Sequence, residues 1–251
     1  MQKLRLRYAK RGRLRFTSHR DVARAFERAL RRAGVPMAYS QGFNPHPKIS
    51  WVGAAPTGVA SEAEYVELQV VQRLDPDRLA QVLDAALAPG LDVVEAVEAG
   101  PGGLAERCEG SRWRIVLPGV PPGELAAAVS ALLAAERVEV ERMTKSGRRI
   151  IDARPAIIRV ETLSSVDLDD NSPDAVGIDM SDTGSVCGIL VAVVRQTTPA
   201  VRPDDVLSAL RVVAALETPV PAKATRMAQG RLDDDGGLTD PLAQDRAAAI
   251  G

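Results

Sequence analysis

The spacing of apolar residues changes from about two to about 3.6 within the first thirty-three positions, and this change does most to fix the fold class. Lys3-Leu4-Arg5-Leu6-Arg7-Tyr8 alternates charged and apolar side chains, the pattern of a strand with one buried face. Leu14-Arg15-Phe16 resumes the alternation after Arg11-Gly12-Arg13, so a basic β-hairpin is expected. An Arg-rich start also suits an organelle transit peptide, but those form amphipathic helices and the spacing here is that of a strand. Ser18 then offers a helix N-cap with Asp21 as its capping-box partner. Val22, Ala25, Phe26, Ala29, Leu30 and Ala33 form the helical stripe, and Gly34-Val35-Pro36 ends it. The opposite face carries Arg20, Arg24, Arg28, Arg31 and Arg32.

Further on, Met37 to Tyr39 reads as a short strand, residues 40–48 as a loop, Ile49 to Ala55 as an apolar segment and Ala63 to Gln72 as a β-rich run. Asp75-Pro76 opens a helix through Leu87, and Leu91 to Val97 forms another strand. Strand, helix, strand, strand, helix, strand is the split βαβ order. A similar order recurs after residue 110: strand 112–117, helix 123–135, strand 138–144 and β-hairpin material at 150–163, then strand 186–196 and helix 203–214. The expected fold is α+β, two ferredoxin-like halves with antiparallel sheets: 1–99, a linker at 100–110, and 111–228 with an acidic loop at 164–185. That loop holds six Asp and no Lys or Arg. Asp167, Asp169 and Asn171 have EF-hand spacing, but Ser172 and Ile178 occupy the glycine and bidentate positions, so calcium is rejected. Residues 229–251, acidic and then small, are expected to be a disordered tail.

The 251 residues, 45% apolar, suffice for a core. Two Cys and two His exclude a disulfide framework, a structural zinc site and a chain-borne iron–sulfur cluster, so neither cofactor nor metal is expected. No apolar run approaches a membrane span and no signal-peptide core is present, so the expected setting is the cytosol. The near-zero net charge hides a division. Residues 1–50 carry thirteen Lys and Arg against two acids, a formal +11, which leaves −12 on the rest. The same segment holds both histidines and five of the eight aromatics, Tyr8, Phe16, Phe26, Tyr39 and Phe43. Basic residues interleaved with rings suit a surface that follows a phosphate backbone and stacks bases. The same charge also suits an acidic partner protein, or merely balances the rest of the chain.

The densest chemistry lies in Phe16-Thr17-Ser18-His19-Arg20-Asp21 and in Ala38-Tyr39-Ser40-Gln41-Gly42-Phe43-Asn44-Pro45-His46-Pro47-Lys48. His19 stands at a helix N-terminus, which favours an anion, or serves as a cap. Pro45 and Pro47 stiffen the backbone around His46, to aim its ring or only to shape the turn. Tyr39 and Phe43 stack bases or fill core space, and Phe26 belongs to the core. The expected RNA-binding set is Lys10, Arg11, Arg13, Arg15, Arg20 and Arg24 on phosphates, Tyr39 and Phe43 as stacking rings, and His19, His46 and Lys48 lining the site. His19 and His46 also supply the acid and base types for metal-independent RNA cleavage, the enzymatic alternative. No Gly-rich phosphate loop, nucleophile elbow or His-Glu-x-x-His motif occurs.

Through the His-Arg-Asp helix start, the Tyr-Ser-Gln-Gly-Phe-Asn-Pro-His-Pro-Lys loop and Ser61-Glu62-Ala63-Glu64-Tyr65, residues 2–215 resemble the radical-SAM-linked protein family, a domain-of-unknown-function group. The resemblance implies an accessory role beside a cobalamin-binding-type radical S-adenosylmethionine enzyme, to which members are fused or next to which they are encoded. This chain lacks Cys-x-x-x-Cys-x-x-Cys, the usual ligand set of the radical cluster. The loop after an Arg-rich helix is also similar, more weakly, to CRISPR-repeat-processing endoribonucleases built from two ferredoxin-like folds, which implies RNA as the ligand. The combined expectation is an RNA-binding partner of a radical-SAM enzyme. The alternatives are an endoribonuclease or a docking subunit that meets no RNA. The oligomeric state is left open.

Overall fold

The computed structural model describes residues 1–144, 147–163 and 186–250, so the expected acidic loop at 164–185 lies outside the described residues. The chain divides into two compact units, one of 1–108 with 229–231 and 239–251, the other of 109–228 with 232–238. The first opens with β1 (Gln2–Lys10), α1 (His19–Arg32), β2 (Ile49–Val52), β3 (Ala60–Val70), α2 (Pro76–Ala86) and β4 (Leu91–Glu98). β1 lies between β4 and β3, and β2 joins β3, every one of these pairings antiparallel. Leu4 faces Leu68 and Leu6 faces Val66 across the ladder. These side chains and Tyr8 form one core with Phe26 and Leu30 of α1 and Leu79 and Leu83 of α2. Each such side chain, fully buried, contributes roughly 1.5–3 kcal/mol.

The helices start where their local signals say. The Ser18 hydroxyl accepts from the Asp21 backbone N–H at 3.2 Å, and Asp75 caps α2 by accepting from the Arg78 N–H at 3.0 Å. The hairpin expected around Arg11 does not form. Gly12 takes a left-handed φ of 53°, and residues 12–16 coil into a 3-10 turn that packs Leu14 against the core. Both edges of β1 are already taken by strands from farther along the chain, so residues 14–16 have no ladder to join.

The second unit contains β5 (Gly110–Pro118), α3 (Pro122–Ala134), the hairpin of β6 (Glu139–Thr144) and β7 (Gly147–Asp152), β8 (Ile157–Leu163), β9 (Cys187–Arg195), α4 (Pro203–Ala214) and most of β10 (Lys223–Leu232). β9 pairs antiparallel with β5 and with β8, and its run Gly188–Val194 is buried throughout. Such a continuous apolar run is what a strand covered on both faces requires. The protein is thus mixed α/β, but its strand pairing is not purely antiparallel, which corrects the expectation of antiparallel sheets alone. β10 is a strand that the sequence reading does not foresee.

The tail also departs from expectation. Instead of being disordered, it carries the end of β10, β11 (Leu238–Thr239) and α5 (Ala243–Ile250). Leu242 joins Val52, Ala63, Tyr65, Val97 and Leu104 in a second cluster within the first unit. Asp245, with a fully buried side chain, sits between the guanidinium groups of Arg5 and Arg107 at 2.8 and 2.9 Å. Arg107 belongs to the stretch read as a linker, which forms a short 3-10 turn at Ala105–Arg107 and buries Leu104. Composition marks acidic and small residues as solvated; it cannot register that one acid is the partner of two buried arginines. No described helix is long and apolar enough to cross a membrane.

Candidate nucleic-acid interface

The solvent face of α1 and the turn before it carry the basic surface. Arg13, Arg20, Arg28, Arg31 and Arg32 are exposed, and none has an ion-pair partner among the described residues. Arg24 is exposed as well and lies 3.7 Å from Asp21, a solvent-screened contact of little strength. The Arg15 guanidinium lies over the Phe16 ring, 4.6 Å from its centroid, which holds a cation and a ring together at the surface. From Arg20 to Arg32 the helix advances roughly 18 Å, enough to meet several phosphates in succession.

Two of the expected contacts are turned to structural work. Lys10 is 3% exposed, and its ammonium donates to the carbonyls of Ala55 and Pro56 at 3.3 and 3.2 Å. It cannot meet a phosphate without leaving those carbonyls unpaired, a cost of roughly 1–3 kcal/mol for each buried polar group. Arg11 is held by Glu62 and by Asp92, the latter at 2.9 Å. The hydrogen bond to Glu62, above all, raises the Arg11 pKa. Both residues anchor the start of the basic turn rather than offering a free cation.

The loop at 40–48 is the second part of the surface. It is folded back on itself: the Ser40 N–H donates to the His46 carbonyl at 2.9 Å, and the Ser40 hydroxyl accepts from the His46 N–H at 3.0 Å. The Ala38 and Lys48 backbones are joined at 2.8 Å. At the tip Phe43 is fully exposed, and Tyr39 is 55% exposed. Gly42 has φ 126°, a conformation that L side chains rarely adopt, which accounts for a glycine before the exposed ring. An exposed phenylalanine on a hydrogen-bonded loop contributes nothing to a core and offers a flat apolar face to a ligand.

His19 and His46 lie in different surroundings. The His19 ring, itself exposed, stands edge-on to Trp51 at 5.4 Å, and Trp51 in turn meets Phe26 at 5.2 Å and Tyr8 at 6.0 Å. Trp51 was not singled out from the sequence; a ring on a short strand after a polar loop is the signal that was available. His46 instead borders a concavity of about 310 Å³ on β1, β2 and β3, with Lys48 beside it. Among the described residues the two imidazoles share no hydrogen bond, ring contact or cavity. The concavity also gathers Lys3, Ser50, Glu67 and Gln69, none of which belongs to the site residues expected from the sequence. Burial pushes the Glu67 carboxyl up, but hydrogen bonds from Lys3 and Arg5 outweigh it and leave the group below its ordinary value.

A family model described as an uncharacterized protein conserved in bacteria, DUF2344, matches residues 3–203. No curated protein matches the chain.

Proposed function

The chain belongs to the DUF2344 family of bacterial proteins, and from that premise we propose that it binds RNA along α1 and the 40–48 loop as the accessory partner of a radical-SAM enzyme. The observation that carries the RNA half is the row Arg13, Arg20, Arg28, Arg31 and Arg32, exposed and without ion pairs among the described residues, next to the exposed rings of Phe16, Tyr39 and Phe43. Exposed cations attract a polyanion, and exposed rings supply stacking that tolerates any base. Arg13, Arg15, Arg20 and Arg24 take phosphates, Tyr39 and Phe43 stack, and His19, His46 and Lys48 line the path. Lys10 and Arg11 drop out of the contact set. The radical-SAM partner rests on the family resemblance of the helix start and the loop. The strand order β4-β1-β3-β2, all antiparallel, supports reading the first unit as ferredoxin-like, and β9 between β5 and β8 supports the same reading of the second.

The experiment is recovery of the tagged protein from its own cells at low salt after ultraviolet crosslinking, with RNA sequenced and co-purifying proteins identified. A discrete RNA crosslinked within residues 13–48, together with a radical-SAM protein, is the expected result. A stoichiometric protein partner without RNA would replace this reading with a basic docking surface.

A further inference from the structure

The register of the first sheet builds a recognition site from residues far apart in the chain. Lys3 is opposite Gln69 and Arg5 is opposite Glu67 on β1 and β3, while Ser50 of β2 is opposite Glu67 on the other side. The Gln69 backbone N–H donates to the Lys48 carbonyl at 3.0 Å, which brings Lys48 into the first row. Directly opposed residues of an antiparallel ladder share a face. The concavity therefore presents Lys3 with Gln69 and Lys48 in one row and Glu67 with Ser50 in the next, with His46 at the rim, while Arg5 is buried and does not line it.

Glu67 is its centre. The side chain is 14% exposed and fixed by Lys3 at 2.9 Å on one carboxylate oxygen and by the Arg5 Nε at 3.0 Å on the other. A carboxylate has about four lone-pair sites, and these two bonds leave acceptor capacity on a side chain that lines the cavity. An acceptor held rigid between two donors recognises a ligand without first losing side-chain freedom. The volume, about 310 Å³, is at the small end for ligand sites, so it suits one nucleotide rather than an extended cofactor. The polar lining disfavours an apolar occupant.

We propose that this concavity reads one unstacked base of the bound RNA, with guanine preferred. Guanine offers two adjacent N–H donors beside a carbonyl oxygen. The donors meet Glu67, and the carbonyl meets the ammonium of Lys48, since Lys3 is already paired with Glu67. Uracil presents a single donor between two carbonyls, and adenine has no carbonyl at all. Single-stranded RNA is commonly recognised in this way, by splayed bases hydrogen-bonded along their Watson–Crick edges and stacked on rings. Tyr39 and Phe43 of the same loop provide those rings. The inference rests on the RNA-binding reading above and adds a base preference that phosphate contacts cannot supply.

The test is fluorescence anisotropy on the full chain with four oligouridine twelve-mers that differ only in carrying G, A, C or U at the centre. The central G is expected to tighten binding about tenfold, the scale of one good pair of base contacts. Lys48→Ala, at an exposed residue whose side chain has no partner among the described residues, and Glu67→Gln should each remove most of that preference. Arg13→Ala with Arg15→Ala should weaken all four oligomers alike and leave the preference intact. Equal binding of the four by the wild type, with the arginine effect retained, would overturn the base-reading site and leave the interface standing. A preference for another base, or a G preference untouched in both pocket variants, would overturn it too. Failure of the wild type to bind any oligomer would remove both proposals.

Discussion

Replacing Asp245 with Asn should unfasten the tail from the first unit, and the cost can be worked from the geometry. The carboxylate accepts twice from Arg5, at 2.8 and 2.9 Å, once from Arg107 at 2.9 Å and once from the Gly100 N–H at 2.9 Å. Arg5 and Arg107 are 2% and 5% exposed, so neither can turn to water when the charge is lost. Asn keeps one acceptor oxygen but points an amide N–H at a guanidinium. Breaking a buried pair by removing one partner typically costs about 3–5 kcal/mol, because the remaining charge stays desolvated. Against a whole-domain stability of about 5–15 kcal/mol that is a large fraction. Urea unfolding followed by tryptophan fluorescence, with limited proteolysis of the C-terminus, would measure it. A loss under about 1 kcal/mol, with the tail still protected, would refute the reasoning and mean that the triad gives no net stability.

Three further outcomes follow from the same structure. Phe26 is fully buried, with its ring centroid 4.7 Å from that of Tyr8 and 5.2 Å from that of Trp51. Phe26→Ala should therefore lower stability by about 3–5 kcal/mol in denaturant titration. A Cβ at Gly230 would come within 2.1 Å of the Thr239 carbonyl oxygen, a backbone atom that cannot step aside. Gly230→Ala should lower the melting temperature and expose residues 239–250 to protease, whereas Gly123→Ala, in open space, should do neither. The Glu67 pKa is lower in the folded chain than in the unfolded one. Its contribution is therefore complete above the unfolded value of about 4.3 and is lost as pH falls through the folded value. Wild-type stability should fall below about pH 4.3 more steeply than that of Glu67→Gln, as acid titration with circular dichroism would show.

What the sequence made legible was local. Ser18 with Asp21, Asp75 with Pro76 and the apolar run through Val194 are each complete within one segment, and α1, α2 and β9 stand where those signals put them. What it concealed depends on partners distant in the chain. Arg5 and Asp245 are 240 positions apart, so no window of sequence distinguishes that acid from its solvated neighbours. Lys10 read as a surface cation because the carbonyls of Ala55 and Pro56 that hold it belong to another loop. In the candidate site, the arginines of α1 were legible from helical spacing, since a polar face needs no partner to be exposed. The exposure of Phe43 was not, because a ring in a loop has no period to reveal its direction. Glu67 and Gln69 were visible only as alternating polar residues of a strand; the register with Lys3 and Arg5 gives them one face and a shared concavity.

The central claim is that the exposed arginines of α1 and its preceding turn hold a phosphate backbone, and salt dependence tests it most directly. Affinity for a single-stranded RNA measured from about 50 to 200 mM salt gives a slope of about −0.7 per phosphate neutralised. The wild type should show a steep slope, and Arg13→Ala with Arg15→Ala should make it shallower by about 1.4, at unchanged melting temperature. A double variant with the wild-type slope and affinity would contradict the claim and assign the basic surface to something other than RNA.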